Sequence, residues 1–298
     1  LDDEVVRVTR PAIQTPWPWL NRRFGVSADA GPEYQDFNIV MTVINGGKST
    51  ILTNIARHAA SIGKNVVYFT FEDGEFKMRR RMLQSIAGIS KEDLVSKLED
   101  AREYAQEFLA KNNGGLYIKR LRSRQSTVRD AVNLIKMIED AEGRGVDMVI
   151  TDYPDRFKSM RRWDEPRHEL REIYEDCKSL AMDHDLVHWG ASQINKTKTG
   201  KDVVGIEDGS ESTGKFESCD VAIGFGQTIA DNRSGRMTLS TSKMRDAAKN
   251  ESTSLIADFD TQRIYEPGHE APKMMSKTQF LGSLKKKKLT KKLTKRPK

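Results

Sequence analysis

The sequence predicts an α/β fold with a mainly parallel sheet, covered by helices and finished by antiparallel strands. Three observations predict it. Short β-branched runs alternate with stretches of 3.6-residue periodicity as far as about residue 219. A glycine turn, Gly46-Gly47-Lys48-Ser49, joins one such run to one such stretch. Past that point β-rich runs follow closely, separated only by turn residues. Strands alternating with helices imply βαβ units and parallel pairing. Strands joined by short turns imply antiparallel pairing.

Residues 1–35 contain Pro11, Pro16, Pro18 and Pro32, and their apolar side chains stand singly. They read as an arm or linker that Trp17 and Trp19 help to pack. Residues 36–266 read as the folded body. Its first strand is NIVMTV (38–43), followed by a helix over 50–62 with Ile51, Ile55, Ala59 and Ile62 on one face. NVVYFTF (65–71) is the second strand. Ser90 followed by Asp93 resembles a capping box opening one helix toward Ala110. GLYIKR (115–120), VDMVIT (146–151) and LVHWGA (186–191) are the next strands. CDVAIGF, RMTLSTSK, TSLIADF and RIY complete the sheet, with Asp231-Asn232 and Ser234-Gly235 as turns and no further helix. Residues 267–298 read as a disordered tail.

The chain has 298 residues, 50 Lys+Arg and 43 Asp+Glu, for a formal charge of +7. Nine cations lie in the last fourteen residues, KKKKLTKKLTKRPK, without an acid among them. The rest is therefore slightly acidic, and bulk charge is a poor guide to partners. Such a tail is expected to raise non-specific affinity for polyanions. No apolar run approaches the roughly 18 residues that span a bilayer, so no membrane partner is expected. LDDEVVRVTR is acidic and mixed, unlike a signal peptide, and the missing initiator Met suggests a fragment of a longer chain. Cys177 and Cys219 form no CxxC, and the five histidines show no ligand spacing. A reducing, cytoplasmic location fits that usage.

The strongest chemical signal is TVINGGKST (42–50). Its end matches the P-loop pattern, while Thr42 occupies the first glycine position. Such a turn points N–H groups at phosphate, with the positive end of a helix behind them. The nucleotide-binding residues are then Asn45, Gly46, Gly47, Lys48, Ser49 and Thr50. Lys48 would reach the β- and γ-phosphates of ATP, and the Ser49 hydroxyl would hold Mg²⁺. The second signal is VDMVITDYPD, in which a hydrophobic strand runs into Asp152. A carboxylate there, at the carboxyl end of a parallel sheet, organises Mg²⁺. Third, Glu72 in FEDGE can polarise an attacking water, although Asp73 and Glu75 compete on position alone. Fourth, Gln193 ends another strand, where an amide either senses the γ-phosphate or bonds a neighbouring loop.

These motifs, in this order, resemble the RecA-like motor domain of DnaB-type replicative helicases, particularly those of phages. The resemblance spans about residues 36–266. It implies a RecA-like P-loop ATPase core and a catalytic role for Glu72. It also rests on Asp152-Tyr153, Ser192-Gln193-Ile194-Asn195, Asp208-Gly209-Ser210-Glu211 and Lys243-Met244-Arg245. In the family, the Lys and Arg of the last motif reach a neighbouring subunit's ATP, which gives Lys243 and Arg245 that role here. Thr42 and Ser210 depart from the usual glycine and arginine. The family's primase-interacting domain finds no match, and residues 1–35 correspond at most to its linker.

The resemblance further implies an ATP hydrolase and helicase that works as a homo-hexamer on single-stranded DNA. Primase or a helicase loader would be partners, in a bacterial or phage-infected cell. Two basic loops would face the channel. Arg156, Lys158, Arg161 and Arg162 follow Asp152, interleaved with Phe157 and Trp163; Lys196, Lys198 and Lys201 follow Gln193. Cations there would track a phosphate backbone, and an aromatic would stack on a base. A filament-forming recombinase and a non-catalytic nucleotide-binding assembly module are the competing expectations.

Overall fold

Among the described residues of the computed structural model, nine strands form one sheet, ordered β3-β2-β4-β5-β1-β6-β7-β8-β9. The structure describes residues 11–25, 29–194, 202–208, 213–245 and 250–274. β1 (Phe37–Thr42), β2 (Asn65–Thr70), β3 (Gly115–Arg120), β4 (Met148–Asp152), β5 (Val187–Gln193) and β6 (Val221–Gly226) pair in parallel. β7 (Arg236–Met244), β8 (Ser252–Asp258) and β9 (Arg263–Tyr265) add on antiparallel, as the spacing of their runs predicts.

Every residue of β1, β2, β4 and β6 is buried, because helices cover both faces of the parallel part. Alternation along each strand divides the core in two. Val40, Tyr68 and Ile150 face the layer holding Ile51 and Ile55 of α2 (Lys48–Ser61) and Met78 and Met82 of α3 (Glu75–Ala87). Ile39, Phe69 and Val149 face Ile135 of α6 (Val128–Glu142) and Ile173 of α7 (Pro166–Asp183). The carboxyl ends of β1, β2, β4 and β5 meet at one edge, where Thr42 pairs with Gln193 and Thr70 with Asp152.

Three sequence expectations change. The single helix toward Ala110 is two, α4 (Lys91–Ser96) and α5 (Leu98–Asn112), which break at Lys97. Ser90 does cap α4, accepting the Asp93 N–H at 3.1 Å. The turn between β6 and β7 is a short helix, α8 (Ile229–Ser234), opened by a capping box of Thr228 and Asp231. The third change concerns the arm. Helix α1 (Pro18–Phe24) and the chain before it pack into the main core through Ile13, Trp17 and Leu20. The Trp17 indole donates to the Ile264 carbonyl at 3.2 Å, and its ring lies 5.1 Å from that of Phe225. Trp17→Ala is expected to destabilise the chain by about 3–5 kcal/mol in urea unfolding, the usual result of emptying a buried aromatic site. A loose arm would lose less than about 0.5 kcal/mol.

Candidate nucleotide-binding site

The site begins where β1 ends. Thr42 is still part of that strand, in register with Gln193 and Phe225, so its backbone is extended and needs no glycine. The chain then turns back: Gly46 N–H donates to the Val43 carbonyl at 2.9 Å. A Cβ on Gly46 would lie 2.8 Å from that carbonyl oxygen. Gly47 has φ of +81°, and a Cβ there would meet the Phe259 ring at 2.7 Å. Both glycines are thus demanded by the tightness of the turn.

α2 starts at Lys48, the residue after the turn. Its Nζ is buried, has no hydrogen-bond partner, and sits 3.9 Å from the centre of the Tyr153 ring. Burial lowers the Lys48 pKa, opposed by the charges of Asp152 and Glu72. A buried ammonium without a hydrogen-bond acceptor, on the helix turn that follows two glycines, is a receptor for an anion. The residues therefore fit a nucleotide phosphate on an observation of their own geometry.

Asp152 ends β4 beside this loop. One of its oxygens accepts hydrogen bonds from the Ser49 hydroxyl at 2.6 Å and the Tyr68 hydroxyl at 3.0 Å. Burial raises its pKa, while Ser49, Lys48 and Tyr68 pull it back down. Ser49 and Asp152 thus bring hard oxygen donors together, as Mg²⁺ requires. Among the described residues no three His, Cys, Asp or Glu side chains form a metal cluster.

The three acids after β2 separate in space. Glu72 is half exposed and reaches Arg156 at 2.5 Å. The Arg156 guanidinium lies 5.0 Å from the centre of the Tyr153 ring, so that ring contacts both Lys48 and Arg156. Burial, and then the Glu72 charge, push the Tyr153 hydroxyl up to about 12. Asp73 is instead held by Lys77 and Arg81, and Glu75 by Arg79 and the main-chain N–H of Arg120. Only Glu72 belongs to the group containing Lys48, Tyr153 and Arg156. Sequence reasoning missed Tyr153 and Arg156 here, although the Asp-Tyr pair at a strand end was a usable signal for the first.

Gln193 lies beside Thr42 at the end of β5, and Ile194 N–H donates to the Thr42 carbonyl at 2.9 Å. Lys196, Lys198 and Lys201 lie outside the described residues. In the other basic loop the residues separate. Arg156 turns to Glu72, and Phe157 is buried edge-on against Phe71, so Phe157 offers no face for stacking on a base. Lys158, Arg161, Arg162 and Trp163 are exposed, with Arg161 and Trp163 both turned to Glu172.

Lys243 and Arg245 stand at the opposite end of the sheet, because β7 runs against β6 and its Met244 pairs with Val221. Lys243 donates to the carbonyls of Phe216 and Glu217 at 2.9 and 3.0 Å. Arg245 pairs with Asp220 at 3.1 Å, and Asp220 also holds Lys178 at 2.6 Å. Neither reaches the glycine turn of its own chain.

A parallel sheet with this turn, a carboxylate on the adjoining strand edge and an antiparallel extension defines a RecA-like P-loop core. Residues 27–203 match the family model of the DnaB-like helicase C-terminal domain. The match covers more than half of the chain, which therefore belongs to that family. The DnaB-like replicative helicase of Enterobacteria phage T4 is 23% identical over 218 residues, 71% of this chain and 46% of that protein. The chain thus spans about half the length of that relative. Among solved structures, one described as an ATPase domain superposes with a TM-score of 0.72 at 15% identity, covering 88% of this chain and 95% of that one. A DnaB-like replicative helicase studied with its primase interactions gives 0.73 at 14% identity, over 88% and 63%.

Proposed function

We propose that this chain is the ATP-hydrolysing motor of a replicative DNA helicase, acting as a hexameric ring on single-stranded DNA. The observation that carries the reading is the buried Lys48 ammonium, which has no hydrogen-bond partner and directly follows the Gly46–Gly47 turn, together with the Ser49–Asp152 pair. Family membership supports the same assignment.

In the proposed reaction Asn45 to Thr50 wrap the phosphates, and Lys48 neutralises charge on the β- and γ-groups. Mg²⁺, held by Ser49 and Asp152, would supply further charge neutralisation on the phosphates. Glu72 takes a proton from the attacking water as its oxygen bonds to the γ-phosphorus and the bond to ADP breaks. Gln193 answers to the γ-phosphate. Lys243 and Arg245 serve the ATP of the next subunit, a role favoured by their distance from their own glycine turn.

Single-stranded DNA is proposed to lie along Lys158, Arg161 and Arg162, with Lys196, Lys198 and Lys201 on the second loop. Arg156 then links loop and chemistry, since it follows Asp152 by four residues and holds Glu72. The motor is proposed to comprise residues 36–266 with the packed arm, and also the start of the expected tail, where Ala271 and Pro272 accept from Arg263 and the Met274 N–H donates to the Ala87 carbonyl; the rest of the tail is proposed as accessory. Primase or a loader is a proposed partner, and the cytoplasm of a bacterial or phage-infected cell the proposed location. No helix among the described residues is long and apolar enough to cross a membrane.

ATPase turnover with and without oligo(dT), measured with oligomeric state, tests this reading. Turnover should rise with DNA in a hexameric species. Neutralising Arg161 and Arg162 together should cut DNA-stimulated turnover at least about tenfold, the effect of losing roughly 1.4 kcal/mol of DNA affinity. Basal turnover should fall much less. Equal losses would move these residues out of the DNA path.

A further inference from the structure

The stretch from Lys119 to Arg129, KRLRSRQSTVR, carries five cations and no acid. It leaves β3, the outermost parallel strand, at the same edge as the nucleotide site: Thr70 pairs with Arg120 on one side and with Asp152 on the other. The loop is folded, not open. Ser126 N–H donates to the Arg122 carbonyl at 2.9 Å, and the Ser126 hydroxyl accepts the Arg122 N–H at 3.1 Å. Two main-chain bonds then stitch it to the loop after Asp152. Arg124 N–H donates to the Arg156 carbonyl at 2.7 Å, and Lys158 N–H to the Ser126 carbonyl at 2.8 Å.

The side chains of Arg120, Arg122, Arg124 and Lys158 are exposed. Their acidic neighbours are largely engaged elsewhere. Asp130 is spent on the capping box of α6, where it accepts from Thr127. Glu75 takes the main-chain N–H of Arg120 and pairs with Arg79. Glu169 stands 3.8 Å from Arg124 and is the one acid paired with this group. Among the described residues no carboxylate pairs with Arg120, Arg122 or Lys158. The body outside the tail is slightly acidic, so this concentration of positive charge is local. Like charges fixed this close repel one another unless a polyanion lies over them.

We propose that the β3–α6 loop is a second phosphate-contacting element, which holds the backbone of the strand carried by the loop after Asp152. The inference rests on the proposed DNA-translocating function. The stretch from Lys119 to Arg129 contains no aromatic ring on which a base could stack, so its contacts are assigned to phosphate. Because its amides are bonded to the loop after Asp152, the two loops move together. The grip of Arg122 and Arg124 is thereby tied to Arg156 and Glu72.

The test is oligo(dT) affinity of the full chain, with ATP analogue, across a salt series. Variants are Arg122→Ala with Arg124→Asn, the Asn because Arg124 has φ of +58° and Asn tolerates that region. Loss of two phosphate contacts should flatten the slope of log affinity against log salt by about 1.4 for a single strand. Affinity at low salt should fall at least about tenfold. The paired control, Arg122→Lys with Arg124→Lys, keeps the charge and should bind as the parent does. A urea midpoint equal to the parent's shows that the neutral variant is folded. Parental affinity and slope in the folded neutral variant overturn the inference and leave the motor reading standing. Equal losses in the neutral and lysine variants also overturn it, since shape and not charge would then matter. If the parent binds no single strand, both the inference and the motor reading fall.

Discussion

Lys48→Ala is expected to abolish ATP turnover and to leave the fold at least as stable. The Lys48 ammonium is buried without a hydrogen-bond partner, and burial already disfavours its charged form. Desolvation outweighs the Tyr153 ring and the nearby carboxylates, so removing the ammonium relieves a buried charge without a hydrogen-bond acceptor. The urea midpoint should stay level or rise. Catalysis loses the side-chain charge that directly follows the glycine turn, and preorganised donors of this kind are worth about 10²–10³-fold each. Turnover should fall by at least that factor, measured as phosphate release at saturating ATP. Retained turnover would sink the nucleotide-site assignment, and a lowered midpoint would show that Lys48 is structural.

Glu72→Gln should reduce turnover by about 10²–10⁴-fold, the range for loss of a positioned general base. Nucleotide affinity should change little, because Gln keeps the size of the side chain and an oxygen for Arg156. The sequence left Asp73 and Glu75 as rivals, and the structure supplies the comparison. Asp73 is tied to Lys77 and Arg81 on the first turns of α3. Asp73→Asn should cost at most about 1 kcal/mol of stability, as surface pairs do, and leave turnover within threefold of the parent. If Asp73→Asn and not Glu72→Gln stops phosphate release, the base is misassigned.

What was legible in the sequence was local in the chain. Gly47-Lys48-Ser49 opens a helix after a strand, and Asp152 ends a buried run; both are patterns a few residues long. The strand runs were equally plain, down to the antiparallel set at the end. Contacts across long sequence separations were not legible. The Glu72–Arg156 pair exists because β2 and β4 are neighbours, a fact that no window around either residue contains. Trp17 looked like part of a linker because its partners, Phe225 and Ile264, lie more than two hundred residues away. The break at Lys97 falls inside one helical period, which hid it. Two signals were readable and passed over: the Thr228-Asp231 cap of α8, and the acid-free stretch from Lys119 to Arg129.

The placement of Lys48 and Arg245 at opposite ends of one sheet sets a rule for assembly. If Lys243 and Arg245 serve a neighbour's ATP as proposed, each chain carries two unlike halves of a site at opposite ends of its sheet. Halves so arranged join head to tail, not face to face. A two-fold dimer, which matches like surfaces, would complete neither site. An open head-to-tail pair completes one and leaves an unused half at each end. Closing the circle is the arrangement in which no half is wasted, so the number of working sites equals the number of chains only when the last chain meets the first.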